Sequence, residues 1–181
     1  MIDKAKDIRK GEELDLTKLT EYLGDHLAGF SGNIEVSQFP SGFSNLTYLI
    51  KTGQKEYVLR RPPFGANIKG GHDMHREFRV LSALKPVYSK VPKPVLFCDN
   101  HSVMGADFYL MERVKGVILR SQAPKDIELK PELMRSISEA CIDTLADLHT
   151  MDLTAAGLAD FGRPEGYTQR QVEGWIGRYY K

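Results

Sequence analysis

The chain has 181 residues, the length of one large domain or two small lobes, which excludes a long repeat array. Hydrophobic residues at 41% and charged residues at 27% suit a globular protein able to bury a core. Lys plus Arg at 25 against Asp plus Glu at 24 leaves a net charge of +1, so no global field favours nucleic acid or a membrane surface as partner.

Residues 1–14 are dense in charge and lack the apolar centre of a signal peptide, and no apolar run approaches the roughly 18 residues of a membrane span. A cytoplasmic location is expected. Cys98 and Cys141 have no Cys-x-x-Cys spacing and lie in apolar or helical contexts, so both are expected to be buried free thiols.

Asp15 stands where it can cap a helix whose Leu16, Leu19, Leu23 and Leu27 recur at helical spacing, and Gly29 and Gly32 stop it. Alternation then takes over from Ile34 through Val36 to Phe39, until Pro40-Ser41-Gly42 interrupts. A second extended run covers residues 46–51, Thr52-Gly53 is a turn, and a third covers 56–61 before Pro62-Pro63 forbids further pairing. A Gly-rich basic loop, residues 64–71, leads to a helix over about 73–84 with Met74, Phe78 and Leu81 on one side.

Pro86, Pro92 and Pro94 make a rigid connection to another hairpin, residues 95–98 and 108–114, with its turn at Asp99-Asn100. Beyond Gly116 the pattern is helical. Pro131 suits a first helical position, and Leu133, Ile137, Cys141, Leu145 and Leu148 form one stripe. Thr168 with Gln171 reads as a capping box opening a last helix that carries Val172, Trp175, Ile176 and Tyr179. The expected class is α+β, a five-stranded antiparallel lobe with one inserted helix in residues 1–115, then a partial helical lobe in residues 116–181.

Four local signals carry chemistry. The turn containing Gly42, Phe43, Ser44 and Asn45 can aim backbone N–H groups at phosphate oxygens without a Cβ in the way. It lacks the full G-x-G-x-x-G, and the chain has no G-x-x-x-x-G-K-[ST], which excludes a Walker-type site. On the third strand, alternation puts Val58 and Arg60 on one face, the first able to lie against a base and the second to reach its phosphates. Glu77 sits on the helical stripe of Met74, Leu81 and Leu84, where a carboxylate needs a cation, and Arg60 is the natural one. Finally, the strand ending at Met111, Glu112 and Val114 runs into a connector whose free backbone groups can take an adenine edge. There Met111 limits the pocket, the Glu112 carbonyl accepts from the adenine amine and the Val114 N–H donates to the ring.

Taken singly, each signal has an ordinary reading: a hairpin turn, a solvated basic strand end at Arg60-Arg61, a helix-edge acid paired with Arg76 or Arg79, and a plain edge strand. Their order is what matters. Three strands, a helix, two strands and then helices resembles a protein-kinase-like small lobe followed by the first helices of a large lobe. Within that architecture, Gly42-Phe43-Ser44-Asn45-Leu46-Thr47-Tyr48, Val58-Leu59-Arg60-Arg61-Pro62-Pro63 and Arg76-Glu77-Phe78-Arg79-Val80-Leu81 resemble the aminoglycoside phosphotransferase family, in the branch also found fused to some acyl-CoA dehydrogenases. The similarity continues through Leu145-Ala146-Asp147-Leu148-His149 and residues 160–167. Protein kinases carry Lys where Arg60 stands, whereas this branch commonly carries Arg.

The resemblance implies ATP and Mg2+ as cofactors and transfer of the γ-phosphate to a small-molecule hydroxyl. Asp160-Phe161-Gly162 spells the metal-binding triplet of protein kinases but is expected to be a structural turn. No Asn follows Asn100, and Asp152 stands at the wrong interval from His149 for a catalytic loop. The family's His-Gly-Asp stretch and later metal-binding Asp are absent from these residues and expected beyond Lys181, so no catalytic or metal-binding residue is assigned here. The chain is expected to be the front half of the enzyme, inactive alone and prone to self-association through exposed large-lobe helices. The alternative is a non-catalytic kinase-like module that binds nucleotide or a partner. His72 and His75, three apart with no third ligand, are expected to be capping or exposed.

Overall fold

The computed structural model describes residues 4–40, 44–66, 72–119, 127–163 and 165–180. Asp15 opens helix α1 (Leu16–His26) by accepting the Lys18 N–H at 3.1 Å, and Leu19 and Leu23 on its apolar stripe are fully buried. Strands β1 (Glu35–Gln38), β2 (Leu46–Thr52) and β3 (Lys55–Arg61) follow in a meander. The tight β2–β3 turn is possible because Gly53 takes φ +56°, a region that side chains avoid. Helix α2 (Met74–Leu84) comes next, capped by Asp73 on the Arg76 N–H at 2.8 Å. Then come β4 (Pro94–Cys98), the short α3 (His101–Met104) and β5 (Phe108–Glu112).

All five strands form one antiparallel sheet in the order β1-β2-β3-β5-β4, with α2 packed against β4 and β5. Reciprocal bonds of 2.8 Å between Lys6 and Gln38 cover the outer edge of β1. The predicted α+β class and its kinase-like order of elements are therefore what the chain adopts.

Register assigns the two faces. Val58 lies opposite Met111 and Arg60 opposite Tyr109, so these four share the face that meets α2. Tyr57 and Leu59 point the other way, where they join Tyr48, Ile50, Phe108 and Leu110 against Leu19 and Leu23 of α1 and Val103 and Met104 of α3. This second face is the core.

Several expectations fail locally. Asp99-Asn100 is more than a turn: the Asn100 side chain caps α3, which Gly105 closes in the left-handed region at φ 73°. Strand β5 ends at Glu112 rather than Val114, because the chain leaves the ladder once the Arg113 N–H has reached the Glu56 carbonyl at 3.2 Å. Helix α4 (Pro131–His149) starts with Pro131 as expected, but α5 (Tyr167–Tyr179) begins before Thr168. Gly166 in the left-handed region supplies its N-cap without a side-chain bond, so the Thr168–Gln171 capping box does not form. Cys98 is buried, whereas Cys141 is exposed because no described residue of α4 is buried. Among the described residues no helix is long and apolar enough to cross a membrane.

Candidate nucleotide site

Glu77 is the centre of the site. Its Oε1 accepts from Asn45 Nδ2 at 2.8 Å, and its Oε2 accepts from Arg60 Nε at 3.0 Å and from the Tyr109 hydroxyl at 2.9 Å. A longer approach of 3.4 Å joins Arg60 Nη2 to Oε1. Thus the residue that leads into β2, the end of β3, the start of β5 and the first turn of α2 converge on one carboxylate. Arg60 and Glu77 are each about one-third exposed, so the pair faces an open cleft rather than a sealed core.

The outcome follows from sequence spacing. Arg60 and Tyr109 are cross-strand neighbours, and Glu77, one turn beyond Met74, is held over them by the cap at Asp73. Met74 is buried and fixes the rotation of α2. Using Nε and one edge of Nη2 on Glu77 leaves Arg60 Nη1 without a described protein partner, a donor pair available to an anion. The Tyr109 phenol is pushed well above its ordinary value, by burial first and the nearby Glu77 charge after, so it remains a hydrogen-bond donor.

His72 neither caps α2 nor stands free. Its Nδ1 lies 2.7 Å from Asn45 Oδ1, so with the amide in this orientation Nδ1–H donates and the Asn45 amide bridges His72 to Glu77. His75 packs edge-on against Phe97. The sequence reading brought Arg60, Glu77, Val58 and Met111 together on this face but missed Tyr109 and His72. The β3–β5 register could have revealed Tyr109, whereas nothing local announces His72. Ser44 and Asn45 lead into β2, while Gly42 and Phe43 lie outside the described residues.

The connector is anchored from β3. Glu56 meets Arg113 Nη1 and Lys115 Nζ, each at 3.0 Å, and Lys93 Nζ lies 3.4 Å from Glu112. Val114, beyond the last strand pair, is exposed. The Asp-Phe-Gly triplet forms a turn region that packs on α2. Asp160 Oδ1 accepts from Arg79 Nη2 at 2.6 Å, and Phe161 helps line a cavity of about 310 Å3 beside Glu77 and Tyr109. Glu77 thus takes Arg60 as its cation, and Arg79 is committed elsewhere.

Residues 35–181 match the family model described as the phosphotransferase enzyme family. The chain is 38% identical over 171 residues to acyl-CoA dehydrogenase family member 11 of Rattus norvegicus, covering 92% of this chain and 22% of that protein. It is 37% identical over 179 residues to the Gallus gallus protein of the same name, covering 97% of this chain and 23% of that one. A crystal structure from Ralstonia eutropha, described as an aminoglycoside phosphotransferase, superposes with a TM-score of 0.74 at 34% identity over 93% of this chain and 48% of that one. The chain therefore spans about a fifth of the curated relatives it matches and about half of the solved one.

Proposed function

Since the chain belongs to the phosphotransferase enzyme family, we propose that its cleft holds ATP for transfer of the γ-phosphate to a small-molecule hydroxyl. The observation that carries this reading is the Arg60–Glu77 pair, braced by Asn45 and Tyr109 on the face that also bears Val58 and Met111. A guanidinium fixed by a carboxylate presents its remaining donors in a set direction, which is how a protein holds phosphate without reorganising. In this reading Arg60 grips the phosphates and backbone around Gly42, Phe43, Ser44 and Asn45 covers them. The Glu112 carbonyl and Val114 N–H take the base, with Val58 and Met111 bounding it.

The donors present fit a nucleotide's phosphates better than they fit magnesium. Among the described residues no group of three His, Cys, Asp or Glu side chains could hold a metal ion. The chain's 181 residues also contain no His-x-Asp-x-x-x-x-Asn, the pattern that supplies base and metal ligand in this chemistry. In this reading these residues supply nucleotide binding. A second reading is a nucleotide-responsive module that acts by occupancy.

Titration calorimetry with ATP and ADP tests the site. Arg60→Ala is expected to weaken binding by ~1–3 kcal/mol, the scale of a charge-assisted contact. Wild-type affinity in that variant would remove Arg60 from the site. Adding the family's missing catalytic stretch then separates the two readings: phosphorylated acceptor supports the enzyme, and retained binding without transfer supports the module.

A further inference from the structure

The residue after Arg60 has a different environment. Alternation turns Arg61 to the opposite face of the sheet, where it is 2% exposed among the residues that meet α1 and α3. Its Nε donates to the Pro62 carbonyl at 3.0 Å, and its Cζ lies 3.6 Å from the centre of the Phe64 ring. Among the described residues Nη1 has no hydrogen-bond partner, and no carboxylate forms an ion pair with the group. Burial pulls the guanidinium below its ordinary range, yet arginine does not shed its proton in proteins. A buried cation of this kind is satisfied by an anion brought to it.

Beside Arg61 opens a cavity of about 460 Å3, whose apolar wall is Leu14, Val103 and Met104 under the exposed ring of Phe64. Acids at its rim do not serve as the missing counterion. Glu13 accepts the Gly11 N–H at 2.8 Å, and Asp15 caps α1 and lies 3.6 Å from Lys18 Nζ. His101 at the same rim is engaged with Asp107 at 2.8 Å. In the lining Glu13 and Asp15 are matched by Lys18 and Arg61, so the cavity carries no excess of positive charge to hold a multiply charged guest. One negative charge on a planar head suits the guanidinium fork, and an apolar body suits the wall.

We propose that this cavity is a binding site for an organic monocarboxylate, whose carboxylate meets Arg61 and whose apolar part lies along Leu14, Val103 and Met104. The site is on the other side of the sheet from Glu77 and does not depend on the nucleotide reading. The ligand reaches Nη1 by turning the Phe64 ring aside.

Hexanoate is a suitable probe, with hexanamide and inorganic phosphate as controls, in thermal unfolding and titration calorimetry of the whole chain. Hexanoate is expected to bind and raise the melting temperature, whereas hexanamide, which lacks the charge, and phosphate, which lacks the apolar body, leave it unchanged. Arg61→Met is expected to fold, to bind ADP as the wild type does and to hold hexanoate at least about tenfold more weakly. Should Arg61→Met fail to fold, Arg61→Lys keeps the charge while losing the fork and is expected to weaken hexanoate in the same direction. Hexanamide or phosphate matching hexanoate, or undiminished hexanoate binding in the folded Arg61 variant, would overturn the proposal. Loss of ADP binding in Arg60→Ala with hexanoate binding intact keeps the two sites distinct.

Discussion

Helices α1 and α4 carry the same kind of apolar stripe, yet their leucines meet different fates. In α1, Leu19 and Leu23 are wholly enclosed by the sheet and α3, whereas in α4 no described residue is buried, and Leu133, Leu145 and Leu148 remain exposed. Helix α5 extends the contrast, with Trp175 at 65% and Tyr179 at 85% exposure. The difference teaches that amphipathic spacing states which face a helix needs to cover, and only the tertiary partner decides whether it is covered. Among the described residues the sheet region holds nearly all of the buried apolar side chains, and of the later ones only Ala156 and Leu158 join them.

The largest effect that would break this comparison is on stability. Leu23→Ala opens a cavity in the closed core and is expected to cost ~2–5 kcal/mol, while Leu145→Ala is expected to cost under about 1 kcal/mol because its side chain is already half in water. Chemical denaturation of the two variants measures both. Equal losses would mean that α4 is covered in solution by something that acts as a second core.

The sheet was legible in the sequence because its signals are local. Leu46 to Arg61 alternates around a glycine turn, Pro62-Pro63 ends the pairing, and Asp15 and Asp73 cap helices in the way their side chains favour. Glu77 was legible as an acid on an apolar stripe in need of a cation, and it does meet Arg60. What stayed hidden depends on distance in sequence. Tyr109 and His72 reach Glu77 and Asn45 from elements 32 and 27 residues away, and their roles emerge only from register and from the placement of α2. The opposite fates of Arg60 and Arg61 illustrate the point: alternation separates their faces, but only packing shows that one is paired and the other enclosed with no counterion among the described residues.

A smaller effect sharpens the contrast at the site itself. Glu77→Ala leaves Arg60, Asn45 and Tyr109 without their common acceptor and is expected to weaken ATP by ~1–3 kcal/mol while the sheet stays folded. Arg79→Ala, on the same helix but paired with solvent-exposed Asp160, is expected to change nucleotide affinity by under about 0.5 kcal/mol. Calorimetry on both variants decides whether Glu77 acts through the site or merely through α2, since the second case would make the two variants alike. On the helical side, we expect concentration-dependent association through α4 and α5, weakened by Trp175→Ser by ~1–2 kcal/mol, about the value of one partly buried aromatic. Sedimentation showing a monomer at every concentration would remove that expectation.

The smallest effect concerns the hinge, where β3 holds the connector. Glu56 is held below its ordinary value of 4.5, first by its hydrogen bond to Lys115 and then by the Arg113 charge, against an opposing burial contribution. Because the folded value is the lower one, the carboxylate contributes stability that is fully present above about pH 4.5 and is lost as the pH falls through the folded value. With its side chain 21% exposed and Lys115 largely in solvent, the contribution is discounted for screening to ~0.5–1 kcal/mol. Glu56→Gln should therefore be less stable than the wild type near pH 7, and the gap should be narrower at an acid pH below 4.5, where the folded carboxylate begins to take up its proton. Denaturation curves at the two pH values measure the gap. A gap that persists undiminished in acid would show that Glu56 holds the connector by shape and not by charge. Nucleotide affinity should then follow the hinge and not the Arg113 and Lys115 ion pairs.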